Sequence, residues 1–167
     1  MSTLVYTKRP SIIAAILLTW LMAGTFDGIA AMLWVAYYTH TVSLELFRGV
    51  ASGIFGEAAI TGGSIMIVWG VLLHYFIALC FTIAWFLSYP LFNSILRYKI
   101  VIAIFYGAAT WAIMEFVVQP LSKVEKHPFH LAGAITGCVI LIFTIGLTIA
   151  LMAHAYYYKI KGRLLYL

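Results

Sequence analysis

Four apolar runs, each long enough to cross a lipid bilayer, constrain this chain more than any other feature. They lie at residues 11–38, 64–92, 99–118 and 131–159. Crossing the hydrocarbon core takes about 20 apolar residues as helix. Every backbone N–H and C=O in that solvent must also find its partner within the protein, which an α-helix achieves by itself. The reading is an all-α fold: an integral membrane bundle of four transmembrane helices in a single domain spanning residues 1–167. Composition agrees. The chain is 65% hydrophobic and 9% charged, whereas a soluble domain carries about 25% charged residues. Runs longer than the minimum imply tilt or short extensions beyond the bilayer. Lys8 and Arg9 precede the first run as they would in a signal peptide. That run continues well past a signal core of about 7–15 residues, so a retained helix is expected.

The basic residues set an orientation. Lys8, Arg9, Arg97, Lys99, Lys159, Lys161 and Arg163 fall on one side of the four spans; Arg48, Lys123 and Lys126 fall on the other. The richer side faces the cytoplasm, which puts both termini there. Trp85, Tyr89, Tyr98 and Tyr156–Tyr158 lie near the inner boundary as aromatic anchors, and Trp34, Tyr37 and Tyr38 cluster at the outer end of the first helix. The net charge of +5 thus sits at helix ends, where anionic headgroups and not nucleic acid are its partner.

Residues 41–63 differ from the spans. They read TVSLELFRGVASGIFGEAAITGG, with Leu46, Phe47, Val50 and Ile54 at helical spacing. Either an amphipathic helix at the outer interface or a re-entrant segment packed between spans accommodates them. A short echo follows: Ala59-Ile60-Thr61-Gly62 recurs as Ala134-Ile135-Thr136-Gly137. It suits either a duplicated helical hairpin or chance in a biased composition. Cys80 and Cys138 lie at different depths inside apolar runs and are expected to be small core residues, not a disulfide.

Ionisable residues inside a membrane cost about 2.5–3.5 kcal/mol each on insertion scales, so each is a candidate site. Asp27 sits among Ala23, Gly24, Gly28 and Ala31, mostly on one face, where another helix can approach closely. His74 lies near the middle of the second span, flanked on its face by Gly70 and Ala78. Glu115 lies toward the outer end of the third span, on the face of Gly107 and Trp111, and Pro120 is expected to end that helix. Each has two readings. Asp27 and His74 either lock helices together or form a proton or ion site; Glu115 either reaches the interface or joins that site. With the first two helices antiparallel, Asp27 and His74 fall at similar depth on neighbouring helices and are expected to face the interior. Gly24, Gly28, Gly70, Gly133 and Gly137 are expected at helix contacts.

Catalytic chemistry has no signature here. The chain lacks a G-x-S-x-G elbow, a Walker loop, an H-E-x-x-H pair and a dinucleotide fingerprint. Glu125, His127 and His130 in the loop QPLSKVEKHPFH lack the spacing of a structural zinc site, and a solvated loop is expected. His154 is expected near the inner headgroups, too far in depth from His74 for the two to ligate one haem. No metal and no cofactor are expected.

G-T-F-D-G at 24–28, L-L-H-Y at 72–75, F-V-V-Q-P-L-S at 116–122 and H-L-A-G at 130–133 occur in order along most of the chain. In these the chain resembles a group of small bacterial inner-membrane proteins, loosely the YagU-like kind. The resemblance implies a four-helix fold in a bacterial inner membrane, and no particular activity or site residue. It also implies a neutral polar residue at the position of Glu115, from which this chain departs.

Two function classes follow. One is a small transport or permeation unit, proton-linked through Asp27 and His74, with a polar cavity open to the outer side. The other is a non-catalytic accessory or scaffold subunit, either a homo-oligomer or part of a larger membrane complex, using Gly24, Gly28, Gly133 and Gly137 as faces for further helices. A membrane-embedded enzyme, built on Glu115 and the loop histidines, ranks last.

Overall fold

The computed structural model describes residues 11–96, 98–124 and 130–164, with side chains to Tyr158. The basic residues Lys8, Arg9, Arg97 and Lys126, with Glu125 and His127, lie outside the described residues, as do the side chains of Lys159, Lys161 and Arg163. All regular structure among the described residues is helical. Four helices are long and apolar enough to cross a membrane: Ile12–Thr39, Ile65–Leu96, Lys99–Leu121 and Leu131–Tyr158.

Helix α1 (Ile12–Thr39) starts at Ser11, whose hydroxyl accepts from the Ala14 N–H at 3.4 Å. It ends at His40, where the backbone turns left-handed at φ 56° and the N–H closes on the Ala36 carbonyl. Two short helices follow, α2 (Leu46–Phe55) and α3 (Glu57–Thr61), separated by Gly56 at φ 62°. Helix α4 (Ile65–Leu96) carries Pro90 within it. The third rod comprises α5 (Lys99–Ile113), a π-helical turn (Met114–Val118) and α6 (Gln119–Leu121). The fourth comprises α7 (Leu131–Leu141), a π-helical turn (Ile142–Gly146) and α8 (Leu147–Leu164).

Consecutive rods run antiparallel, and the bundle divides into two halves. In one, where α1 and α5 begin and α4 and α8 end, aromatic rings fill the centre. Phe86, Tyr89, Tyr106 and Ile149 are buried there with Ala103, Ala150 and Ala153. Trp85 stacks on Tyr106 at 4.8 Å between centroids, and Tyr89 on Tyr157 at 5.9 Å. The backbones of the third and fourth rods nearly touch: a Cβ on Gly146 would overlap the Ala103 carbonyl, and one on Gly107 would overlap the Ile142 backbone. Only glycine permits this approach.

In the other half the rods separate. Helix α4 packs on α1, α5 and α8, and α7 packs on α5. That leaves room between α4 and α7. Helix α2 lies across α4 at this end, with the Phe47 carbonyl so close to Gly70 that a Cβ there would overlap it. The Arg48 guanidinium pairs with Glu45 and donates to the Ile60 carbonyl at 3.1 Å, tying α2 to α3. The Lys123 N–H donates to the Gly53 carbonyl at 2.9 Å, tying the segment after α6 to α2. The apolar stripe of α2 is therefore split: Phe47 is buried against α4, whereas Ile54 is exposed.

Several expectations are corrected. The third helix does not stop before Pro120 but continues to Leu121. The π-turn changes the hydrogen-bond register just before Pro120, which falls within the first two residues of α6. The two copies of Ala-Ile-Thr-Gly are not equivalent, since the first ends the short α3 and the second lies inside α7. Cys80 is exposed, not in the core, because α4 packs through the line Gly70, Ala78, Thr82, Phe86 and Tyr89. Separately, His154 meets the Tyr89 hydroxyl at 2.8 Å and stacks on Tyr158.

Candidate functional site

The space between the separated rods is a cavity of about 740 Å³. Residues from all four long rods and from α2 line it. It extends from Pro120 and His130, at the end where the rods separate, down to Asp27 and Ile145. Along the fourth rod, His130 to Ile145 corresponds to about 22 Å of helix.

Asp27 and His74 both line this cavity, on the contacting helices α1 and α4. They do not hydrogen-bond to each other. His74 Nε2–H donates to the Gly24 carbonyl at 2.9 Å, a bond that fixes this ring nitrogen as a donor because a carbonyl only accepts. The ring lies over Gly28, where a Cβ would sit 3.4 Å from Nε2. Trp20 and Thr25 hold the same pair of helices together through the Tyr75 carbonyl at 2.7 Å and the Tyr75 hydroxyl at 2.9 Å.

Asp27 is held instead by Thr144, whose hydroxyl lies 2.9 Å from Oδ1. The same hydroxyl lies 2.9 Å from the Ile140 carbonyl. A hydroxyl has one proton and two lone pairs. It donates to Asp27 when the carboxylate is ionised. When Asp27 carries a proton, the roles reverse: Asp27 donates to Thr144, and Thr144 donates to Ile140. This partner serves both charge states without moving. Thr144 belongs to the π-turn Ile142–Gly146, and Glu115 to the other π-turn, Met114–Val118. Each π-turn contributes to the cavity wall, through Ile145 and through Met114 and Glu115. Single π-turns inside α-helices recur at functional sites.

Glu115 is half-buried on the cavity wall and accepts from Gln119 Nε2 at 2.8 Å through Oε2. No other hydrogen bond reaches either carboxylate among the described residues, so Asp27 Oδ2 and Glu115 Oε1 remain available. Glu115 lies near the end of the third rod, within two turns of Leu121, whereas Asp27 lies deeper, at the level of Thr144. Among the described residues no group of three His, Cys, Asp or Glu is arranged to hold a metal ion.

The glycines divide. Gly24, Gly28 and Gly70 pack against neighbouring side chains or backbone, and Gly137 meets the Trp111 ring. A Cβ on Gly133 would meet nothing within 4 Å, and this residue lines the cavity, which corrects its expected packing role: α7 stands away from α4 at that level. Thr144, Gln119 and Trp111 were not read as site residues from sequence. A threonine in an apolar helix draws no notice because it bonds its own i−4 carbonyl, as Thr19 and Thr82 also do. No family model, no curated protein and no solved structure matches the chain.

Proposed function

We propose that the chain is a multi-pass protein of a bacterial inner membrane, with both termini cytoplasmic, and that it is a small transport or permeation unit, proton-linked at Asp27. The observation that carries this reading is the cavity of about 740 Å³, which runs from Pro120 and His130 to Asp27. Ligand cavities run to roughly 300–1,000 Å³, mostly apolar with a few placed polar groups. This one has that character. Its far end is closed by the core around Phe86 and Tyr106, so in this reading solute enters from the outer side and passes only when the packed half rearranges. Large apolar side chains such as Leu17, Leu87, Ile104 and Phe143 are exposed on the rods, as lipid contact requires.

In this reading the proton resides on Asp27, and the Thr144 hydroxyl keeps a partner in either state. His74 positions α4 against α1 and lines the cavity. The accessory-subunit reading draws no support from the glycines, since Gly24 and Gly28 pack inside the chain and Gly133 and Gly137 line the cavity.

Proteoliposomes enclosing a pH-sensitive dye test the proposal. Gradients of cationic, neutral and anionic solutes are imposed in turn. At least one is expected to move protons with the wild type and none with Asp27→Asn, which should still insert and purify as the wild type does. Proton movement that persists in Asp27→Asn, or that no solute elicits, overturns the proposal. Failure of Asp27→Asn to fold assigns the carboxylate a structural role.

A further inference from the structure

We propose that the cavity is a site for a hydrophobic organic monocation, an amine or quaternary onium whose charge is met by Asp27 and Glu115. The proposal rests on the reading of the cavity as a solute chamber and names the class of solute. Both carboxylates line the cavity and each has an oxygen without a protein partner among the described residues. No Lys or Arg is among the described lining residues, and the other titratable groups there are His74 and His130. Arg48 is engaged by Glu45 and the Ile60 carbonyl, away from the lining. Apart from Thr110 and Gln119 the remaining wall is apolar, with the rings of Phe81 and Trp111 beside Met114 and Leu141. Aromatic faces attract cations and bury the apolar part of the same molecule. Among the described lining residues an anion would meet two carboxylates and no Lys or Arg. A small inorganic cation would have no use for this wall or this volume.

The carboxylates lie at different depths, Glu115 nearer the mouth and Asp27 near the bottom, where it meets Thr144. A cation thus meets one charge on entry and a second at the end of the chamber. Protons and the cation compete. Protonation of Asp27 or Glu115 removes negative charge, and protonation of His74 or His130 adds positive charge. Every titration facing the site, from α1, α4, the third rod and the start of the fourth, acts in the same direction. Cation affinity therefore falls as pH falls. Arrival of one cation at Asp27 with departure of one proton leaves the chamber's charge unchanged, which suits exchange.

The test is equilibrium binding of tetraphenylphosphonium to the purified full chain in mild detergent, with tetraphenylborate as the anion of nearly the same shape. Saturable binding of the phosphonium is expected, tighter than that of the borate by on the order of tenfold. It should weaken from alkaline to mildly acid buffer. Asp27→Asn and Glu115→Gln should each weaken it severalfold, and Cys80→Ser, on the outer surface, should not. Glu115→Gln serves if Asp27→Asn misfolds, because Glu115 bonds only Gln119. Equal affinity for the two ions, no saturable phosphonium binding, or affinity rising as pH falls overturns the proposal. Phosphonium binding without proton movement in liposomes would remove the transport reading and keep the cation site. Proton movement with another solute and no phosphonium binding would do the reverse.

Discussion

The two halves of the bundle are built from the same four rods, yet one is filled and the other encloses a cavity. Around Phe86, Tyr89 and Tyr106, rings interlock between helices. Glycines at 107 and 146 let the third and fourth rods meet backbone to backbone. Around Asp27, His74 and Glu115 the side chains that would fill the gap are small or absent, as at Gly133, Ala134 and Gly137. With the chain in a bilayer, as proposed, the difference cannot come from hydrophobicity, because in lipid apolar surface gains nothing by leaving its solvent. Packing and hydrogen bonds decide it. The filled half has complementary shapes; the open half keeps polar groups that only a cavity can serve.

Substitutions at the glycines should break this contrast most sharply. Gly146→Leu drives a side chain into the Ala103 carbonyl and the Gly107 N–H, costing about 3 kcal/mol or more, since backbone atoms cannot step aside. Loss of monodisperse protein on size exclusion is the expected readout. Gly133→Leu, at a position where an added Cβ meets nothing within 4 Å, should not destabilise the protein. If both variants behave alike, the halves are not distinct.

Truncating aromatic residues gives a smaller effect. Phe86→Ala removes a fully buried ring from the filled half and should cost about 3 kcal/mol by thermal or denaturant unfolding. Phe81→Ala, on the cavity wall, should cost about 1 kcal/mol, because its ring has packing partners on one side only. A reversed order would contradict the assignment of the core.

The smallest effect concerns a single hydroxyl. Thr144→Val keeps the shape and removes the partner of Asp27, an interhelical bond worth about 0.6–2 kcal/mol in a membrane. Thr136→Val removes a hydroxyl bonded only to the Ala132 carbonyl within its own helix and should leave unfolding unchanged. Equal effects would mean that Thr144 serves its own helix alone.

Much of this contrast was legible in the residues, and some was not. The number of long helices follows from the apolar runs, because backbone satisfaction in such a chain leaves no alternative. Asp27 announces itself as a carboxylate in an apolar run, and the small residues around it show where another helix approaches. Its partner does not, since Thr144 resembles the self-bonded threonines elsewhere. The π-turns at Met114–Val118 and Ile142–Gly146 leave no mark on periodicity, because they arise where packing demands an extra residue in a turn. Small residues recur along every rod. Their spacing alone does not reveal that Gly107 and Gly146 meet backbone while Gly133 meets nothing.

In the proposed arrangement water and solute reach one half of the bundle, from one side, and not the other. This is tested by single cysteines in a chain whose Cys80 and Cys138 have been replaced. A membrane-impermeant maleimide is added to the outside of intact cells. Ala134→Cys and Gly137→Cys, on the cavity wall, are predicted to be labelled. Ala150→Cys, fully buried in the filled half, is predicted to stay unlabelled until the protein is denatured. Labelling at 150 from outside, or protection at both 134 and 137 until denaturation, would contradict the account.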